Sequence, residues 1–281
     1  YKNVVYICMD GLGMFPLEQN LPKSSILRKN VAKTITSVFP STTTNATSTL
    51  YSATYPSQHG LFGWSLYFEQ LNACVDIYTG HNSYTTEPVD MSKISDYLTF
   101  ESYFGKSQIP AYTVFPAYMK YLQTNTHGYN FKTIEEAFTI LKEIVKVDEK
   151  KFVYCYFSEP DGTMHKYGTT SQEAKKLIEN LNKLTEDLAS QSADTLIVIT
   201  PDHGQTDIKS YIPLYENKEL MKTLKTPLFL EARAAGFFVK KECENKFLQE
   251  MEKYKDKIKL FKTKDLIDDN FFGPKTDKLN M

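Results

Sequence analysis

Phe152-Val153-Tyr154-Cys155-Tyr156-Phe157-Ser158-Glu159-Pro160-Asp161-Gly162-Thr163-Met164-His165 is a six-residue apolar run that empties into a turn bearing carboxylates and an imidazole. A run apolar at every position reads as a strand buried on both faces, not as the alternating strand of a half-wet sheet. The same order recurs twice: Val4-Val5-Tyr6-Ile7-Cys8-Met9 leads into Asp10, and Thr195-Leu196-Ile197-Val198-Ile199-Thr200 leads into Pro201-Asp202-His203-Gly204. Ala111-Tyr112-Thr113-Val114-Phe115 is a weaker fourth run. Helical periods separate them. Residues 132–147 place Ile134, Ala137, Phe138, Leu141 and Val145 on one stripe, and residues 171–188 place Ala174, Leu177, Ile178, Leu181, Leu184 and Leu188 on another. Thr170 or Ser171 is the expected N-cap of the second helix. Buried strands alternating with amphipathic helices give an α/β fold: a mostly parallel central sheet with helices on both faces. Ligands of such sheets bind beyond the carboxyl ends of the strands.

All three acidic turns fall at those ends. Carboxylate oxygen and imidazole nitrogen together suit zinc-like divalent cations, and two Asp/His pairs with a third Asp suggest a two-metal hydrolytic centre. Taken singly, each feature has a plain explanation. Asp10 could cap a helix, Asp161 and His165 could be a local hydrogen-bonded pair, and Asp202-His203 could be an ordinary turn. Three separate strand ends delivering ligand-type side chains make the joint reading the stronger one.

Length suffices for one large domain, and residues 212–281 read as a smaller α+β lobe, with strands at 228–230 and 236–239 and a helix at 242–254. Residues 62–90 lack periodicity and are expected to form a loop region with at most short strands. A net charge of -1 offers no electrostatic case for a nucleic acid polymer or an acidic membrane surface. Arg28 and Arg233 are the only arginines, so phosphate would have to be neutralised by something other than an arginine clamp. Lys150, Lys151 and the lysines of 252–264 read as solvated faces. The four cysteines show no metal or disulfide spacing, and Cys8 and Cys155 read as small apolar residues of central strands. No apolar stretch reaches membrane-spanning length. The chain opens directly into a strand without a signal peptide and without an initiator Met, which leaves its compartment and oligomeric state open.

A last segment, Phe39-Pro40-Ser41-Thr42-Thr43-Thr44-Asn45, followed by Tyr55-Pro56-Ser57-Gln58-His59-Gly60, sets a hydroxyl cluster at an expected helix start. Free N–H groups there favour anions, although hydroxyls crowd at helix starts for capping reasons alone.

Together these motifs resemble the alkaline phosphatase superfamily, within it the nucleotide pyrophosphatase/phosphodiesterase-like branch. The resemblance rests on Glu159-Pro160-Asp161 with His165 and Gly168, on Asp202-His203-Gly204, and on Tyr55-Pro56 with His59-Gly60, and it runs from Asp10 to about Asp207. It implies one alkaline phosphatase-like catalytic domain with two divalent ions, zinc being expected. Asp10, Asp202, His203 and the nucleophile would hold one ion; Asp161 and His165 would hold the other. Counting back from His59 lands on Thr43 as nucleophile, with Thr42 and Thr44 as neighbours to which the assignment could slip; Thr44 and Trp64 are candidate substrate contacts. His59 is given a structural role. The implied activity is hydrolysis of phosphodiester or nucleotide-type substrates through a threonine phospho-enzyme. Phosphonate, phosphomonoester or sulfate-ester hydrolysis is the alternative, as is a non-catalytic ligand-binding relative. Tyr67, Tyr78 and Tyr84 could stack a nucleobase, although packing within the lobe is the commoner use of such rings. Two departures stand out. Trp64 occupies the place of an Asn that supports the phosphoryl oxygens in related enzymes. No His follows His203 among the five histidines, whereas the family closes its second site with one; the C-terminus is therefore expected to be truncated, or water or another group to complete that site.

Overall fold

A computed structural model describes residues 1–98, 102–119 and 127–276. In chain order its strands among those residues are β1 (Asn3–Met9), β2 (Ser65–Phe68), β3 (Ala73–Asp76), β4 (His81–Asn82), β5 (Ala111–Pro116), β6 (His127–Phe131), β7 (Lys151–Phe157), β8 (Thr195–Thr200), β9 (Phe229–Leu230) and β10 (Ala235–Gly236). The chain divides into two compact units: the described parts of Tyr1–Ser37 and Glu101–Asp207, and those of Val38–Phe100 and Ile208–Met281.

The first unit is built on the expected sheet. Its order is β6-β5-β7-β1-β8, and every pairing is parallel, with helices on both sides. The pleat sorts the apolar runs by parity. Val5, Ile7, Met9, Val153, Cys155 and Phe157 point to one face, where Phe138, Leu141, Ile178, Leu181 and Leu188 cover them. Those come from the helices Ile134–Lys146 and Gln172–Gln191. The even positions build an aromatic face. Tyr6 stacks on Tyr154 at 5.8 Å, and Phe104, from the turn Tyr103–Lys106, lies 5.1 Å from both Phe152 and Tyr154. Cys8 and Cys155 are buried free thiols, as read, and burial pushes both well up from the ordinary thiol range. Thr133 caps the first helix and Ser171 the second, each through its side-chain oxygen accepting an N–H three residues on.

Three details depart from the reading of the sequence. β6 (His-Gly-Tyr-Asn-Phe) had no apolar signal, because it is an outer strand with His127, Gly128 and Tyr129 exposed. β8 carried the signal of a doubly buried strand, yet its residues are half-buried or exposed; it pairs with β1 alone. Lys151 is not a solvated lysine. It is 2% exposed, and its ammonium donates to Asn3 Oδ1, Val147 O and Glu149 O, tying the start of β7 to the loop that follows the helix Ile134–Lys146. Three acceptors replace the water a buried ammonium gives up.

The second unit holds an antiparallel sheet, ordered β10-β9-β2-β3-β4. Residues 62–90 contribute its short strands β2 to β4 and the core around Phe68, Val75 and Ile77. The strands expected at 228–230 and 236–239 are shorter, at β9 and β10, with Val239 bridging Leu224. The helix expected at 242–254 is Glu244–Glu252, entered through the tight turn Lys241–Cys243. Its Phe247 and Met251 pack with Leu214, Leu220 and Leu224. Because β9 pairs with β2, the C-terminal segment shares a sheet with residues 65–76.

Leu181 is fully buried at the centre of the helix-covered face. Leu181→Ala is expected to lower unfolding free energy by about 2–5 kcal/mol, measured by denaturant titration; a loss below about 1 kcal/mol would contradict the packing described.

Candidate functional site

In the first unit, β7, β1 and β8 lie side by side and parallel. Neighbouring strands are spaced by about 4.8 Å, so residues just beyond their carboxyl ends must meet. Asp10 follows β1, Asp161 opens the helix Asp161–Tyr167 after β7, and Asp202 and His203 follow β8. Ligand atoms of Asp10, Asp161 and His203 all lie within 4.8 Å of one another. Nε2 of His203 stands 3.3 Å from Asp10 Oδ1 and 3.6 Å from Asp202 Oδ2. Nε2 of His165 stands 3.3 Å from Asp161 Oδ2. The five first-unit residues expected as ligands are therefore gathered at one end of one sheet. Asp161 lies in the same cluster as Asp10 and His203, and His165 reaches it through Asp161.

Each carboxylate is partly committed. Asp202 Oδ1 accepts the Gly11 N–H at 3.1 Å and the His203 N–H at 2.8 Å. Asp10 Oδ2 accepts the Tyr156 hydroxyl. Glu159 Oε2 accepts the Thr163 N–H at 3.0 Å, a carboxylate at a helix start. What stays uncommitted is informative: Asp161 Oδ1 and Asp202 Oδ2 are buried and have no hydrogen-bond partner. A buried carboxylate oxygen without a donor is costly, and a divalent cation removes the cost. The donor set of carboxylate oxygen and imidazole nitrogen, with two buried oxygens left without a hydrogen bond, fits such an ion.

The electrostatics agree. Burial, then the charges of Asp202 and Asp161, push Asp10 well above the ordinary carboxylate range; the Tyr156 hydroxyl pulls the other way. Burial also raises Asp161, with His165 and His203 opposing and Asp202 adding to the shift.

Glycine makes the close approach possible. Gly11 has φ +71°, and a Cβ there would sit 2.8 Å from Asp161 Oδ1. A Cβ on Gly13 would sit 2.5 Å from the Gly204 Cα, so the turns after β1 and β8 touch backbone to backbone. On the other side of the cluster, Asn20 donates to Thr169 O and Asp207 accepts the Thr169 N–H, both at 2.8 Å. They brace the loop that leaves the helix carrying His165. Of the remaining histidines, His127 opens β6 and stacks on Tyr112 at 4.7 Å, at the opposite end of the strands from Asp10.

The hydroxyl segment lies in the second unit. Thr43 is the first residue of the helix Thr43–Ser52, with Thr42 as N-cap. Thr43 is 9% exposed and Thr44 is wholly buried. His59 is 2% exposed, and its Nδ1 accepts the Leu61 N–H at 3.1 Å. Nε2 therefore carries the proton and donates to Thr49 Oγ1 at 3.0 Å. Trp64 packs edge-on against Tyr78 at 6.0 Å, and the Tyr78 hydroxyl meets Thr47 Oγ1. Tyr67 packs against Phe238, and the Tyr84 hydroxyl donates to Leu228 O, so all three tyrosines are engaged within their own unit.

A sequence profile for type I phosphodiesterase / nucleotide pyrophosphatase matches residues 4–272. The chain belongs to that family. Ectonucleotide pyrophosphatase/phosphodiesterase family member 7 of Mus musculus and of Rattus norvegicus are each 36% identical over 76 residues, 25% of this chain. The matched stretch spans 17% of the length of those relatives. Murine ectonucleotide pyrophosphatase / phosphodiesterase 5, solved as an inactive variant in complex with AMP, has the same fold: TM-score 0.61 at 15% identity, over 88% of this chain and 68% of that one. Among the described residues, no helix of this family member is long and apolar enough to cross a membrane.

Two residues, one beside a candidate residue in each unit, escaped the sequence reading. Tyr156 sat inside an apolar run and read as core. Register and parity could have found it, since Cys8 pairs with Tyr156 and Asp10 lies two residues further along the same face. Glu231 accepts hydrogen bonds from Thr42 and Trp64, 189 and 167 residues away in sequence, and no local pattern announces it.

Two outcomes follow for the cluster. Asp10 and Asp161 titrate higher in the folded chain than in the unfolded one, so the folded chain binds more protons. The contribution of these two groups to the stability of the cation-free protein is therefore fully present below the ordinary aspartate value of about 4 and is lost as pH rises through the raised values. At pH 7, cation-free Asp10→Asn should melt above the parent, by about 2–4 °C per kcal/mol of repulsion relieved, while binding divalent ions more weakly by calorimetry. Gly13→Ala should separate the two turns and lower divalent affinity by about 10-fold or more, read by the same titration.

Proposed function

We propose that this chain is a metal-dependent phosphodiesterase or nucleotide pyrophosphatase with Thr43 as nucleophile. The observation that carries the reading is the cluster of Asp10, Asp161 and His203 within 4.8 Å, bordered by the orphaned oxygens of Asp161 and Asp202. Asp10, Asp202 and His203 would hold one divalent ion and Asp161 and His165 a second, zinc being favoured by the mixed oxygen and nitrogen donors. When bound, such ions supply positive charge that acidifies an oxygen nucleophile and offsets the charge on phosphoryl oxygens.

The chain's own residues do the rest. The Thr43 hydroxyl gives its proton to water and its oxygen bonds to phosphorus as the bond to the leaving oxygen breaks; the leaving group departs protonated by water, and phosphorus stays esterified to Thr43 and to the retained substituent. Water then attacks the same phosphorus and the bond to Thr43 Oγ1 breaks, restoring the hydroxyl. Thr43 suits this role by its place at the start of a helix, the end whose dipole favours an anionic group. His203 is oriented by its contacts with Gly204 O through Nδ1 and with Asp10 through Nε2. The scarcity of arginine fits a site whose anion neutralisation falls to cations. Family membership supports a phosphoric ester substrate, and the AMP held by the murine relative supports one of nucleotide type.

Hydrolysis of p-nitrophenyl thymidine 5′-phosphate tests the proposal. Thr43→Ala should cut turnover by about 10³-fold or more, chelation should abolish it, and zinc should restore it. Thr42→Ala and Thr44→Ala should each cost far less turnover than Thr43→Ala. A Thr43→Ala variant as active as the parent would end the nucleophile assignment.

A further inference from the structure

We infer that Glu231 is a specificity-determining residue, a carboxylate beside the nucleophile turn that selects singly charged phosphodiesters over doubly charged phosphomonoesters. The inference rests on Thr43 being the nucleophile. Its own observations lie within the second unit. Glu231 Oε1 accepts the Thr42 hydroxyl, one residue before Thr43, and accepts the Trp64 N–H at 2.8 Å. Among the described residues no lysine or arginine comes within ion-pairing distance of it, and the partners its carboxylate has there are these two neutral donors.

The placement has two effects. It occupies the backbone N–H of Trp64, which can no longer serve a phosphoryl oxygen. Trp64 contributes no side-chain amide either, and its ring is packed against Tyr78. The turn thus lacks a donor for one more phosphoryl oxygen and carries a negative charge in its stead. A diester presents a single charge, whereas a monoester carries about −1.5 to −2 at pH 7. The additional charge of the monoester meets the Glu231 carboxylate in a partly desolvated turn, where a unit charge pair a few ångströms apart is worth at least a factor of about ten in affinity.

Glu231→Gln tests this, because the amide oxygen still accepts from Thr42 and Trp64 while the charge is gone. The preference for p-nitrophenyl thymidine 5′-phosphate over p-nitrophenyl phosphate, as a ratio of kcat/KM, should fall about tenfold, mainly through faster monoester turnover. Inorganic phosphate should bind the variant about tenfold tighter by calorimetry, a readout that does not need turnover. Glu231→Ala loses the brace as well and should slow both substrates. A residue that only braced the turn would leave the ratio and the phosphate affinity of Glu231→Gln unchanged, and that result would overturn the inference. Failure of the nucleophile assignment would instead show as turnover surviving Thr43→Ala.

Discussion

Like-charge crowding at one end of a parallel sheet is the constraint around which the first unit is arranged. Three aspartates reach the same place because β7, β1 and β8 are neighbours running in one direction. Left alone they repel, and burial makes the repulsion worse. The chain tempers it with specific donors: the Tyr156 hydroxyl on Asp10, two backbone N–H groups on Asp202, and two imidazoles in ion-pairing range. The buried oxygens left over are those that a cation would take. The strain is the usual signature of a site that trades stability for function.

That arrangement explains why the glycines sit where they do. Backbone contact between the turns after β1 and β8, at Gly13 and Gly204, shortens the distance that the Asp10 and His203 side chains must span. A side chain on Gly13 would wedge the strand ends apart, whereas a Cβ on Gly204 would meet the Gly13 Cα at an ordinary 3.7 Å. The aliphatic face packs under two long helices, and the aromatic face, with Tyr156 in it, supplies the hydroxyl that steadies Asp10. Packing and chemistry thus share the same strand.

How much of this could be read beforehand follows from how local each signal is. The central strands, both long helices, the Ser171 cap and the convergence of Asp10, Asp161, Asp202, His165 and His203 at one sheet end were legible. Apolar periodicity and the rule of carboxyl-end ligand binding act over short stretches. β6 was not legible, because an outer strand needs no continuous apolar run. Lys151 misled, because a lysine in a charged stretch looks solvated until its three acceptors are known. Tyr156 and Glu231 were invisible for a different reason: their partners lie 146 to 189 residues away, and only register or the folded chain brings them into view.

The Lys151 ammonium and the aspartate cluster occupy opposite ends of β7. The strand therefore runs from a cationic foot to an anionic crown. On the proposed function that polarity has a consequence: the crown repels an anion until counter-charge settles on it, so a cation would precede the phosphate.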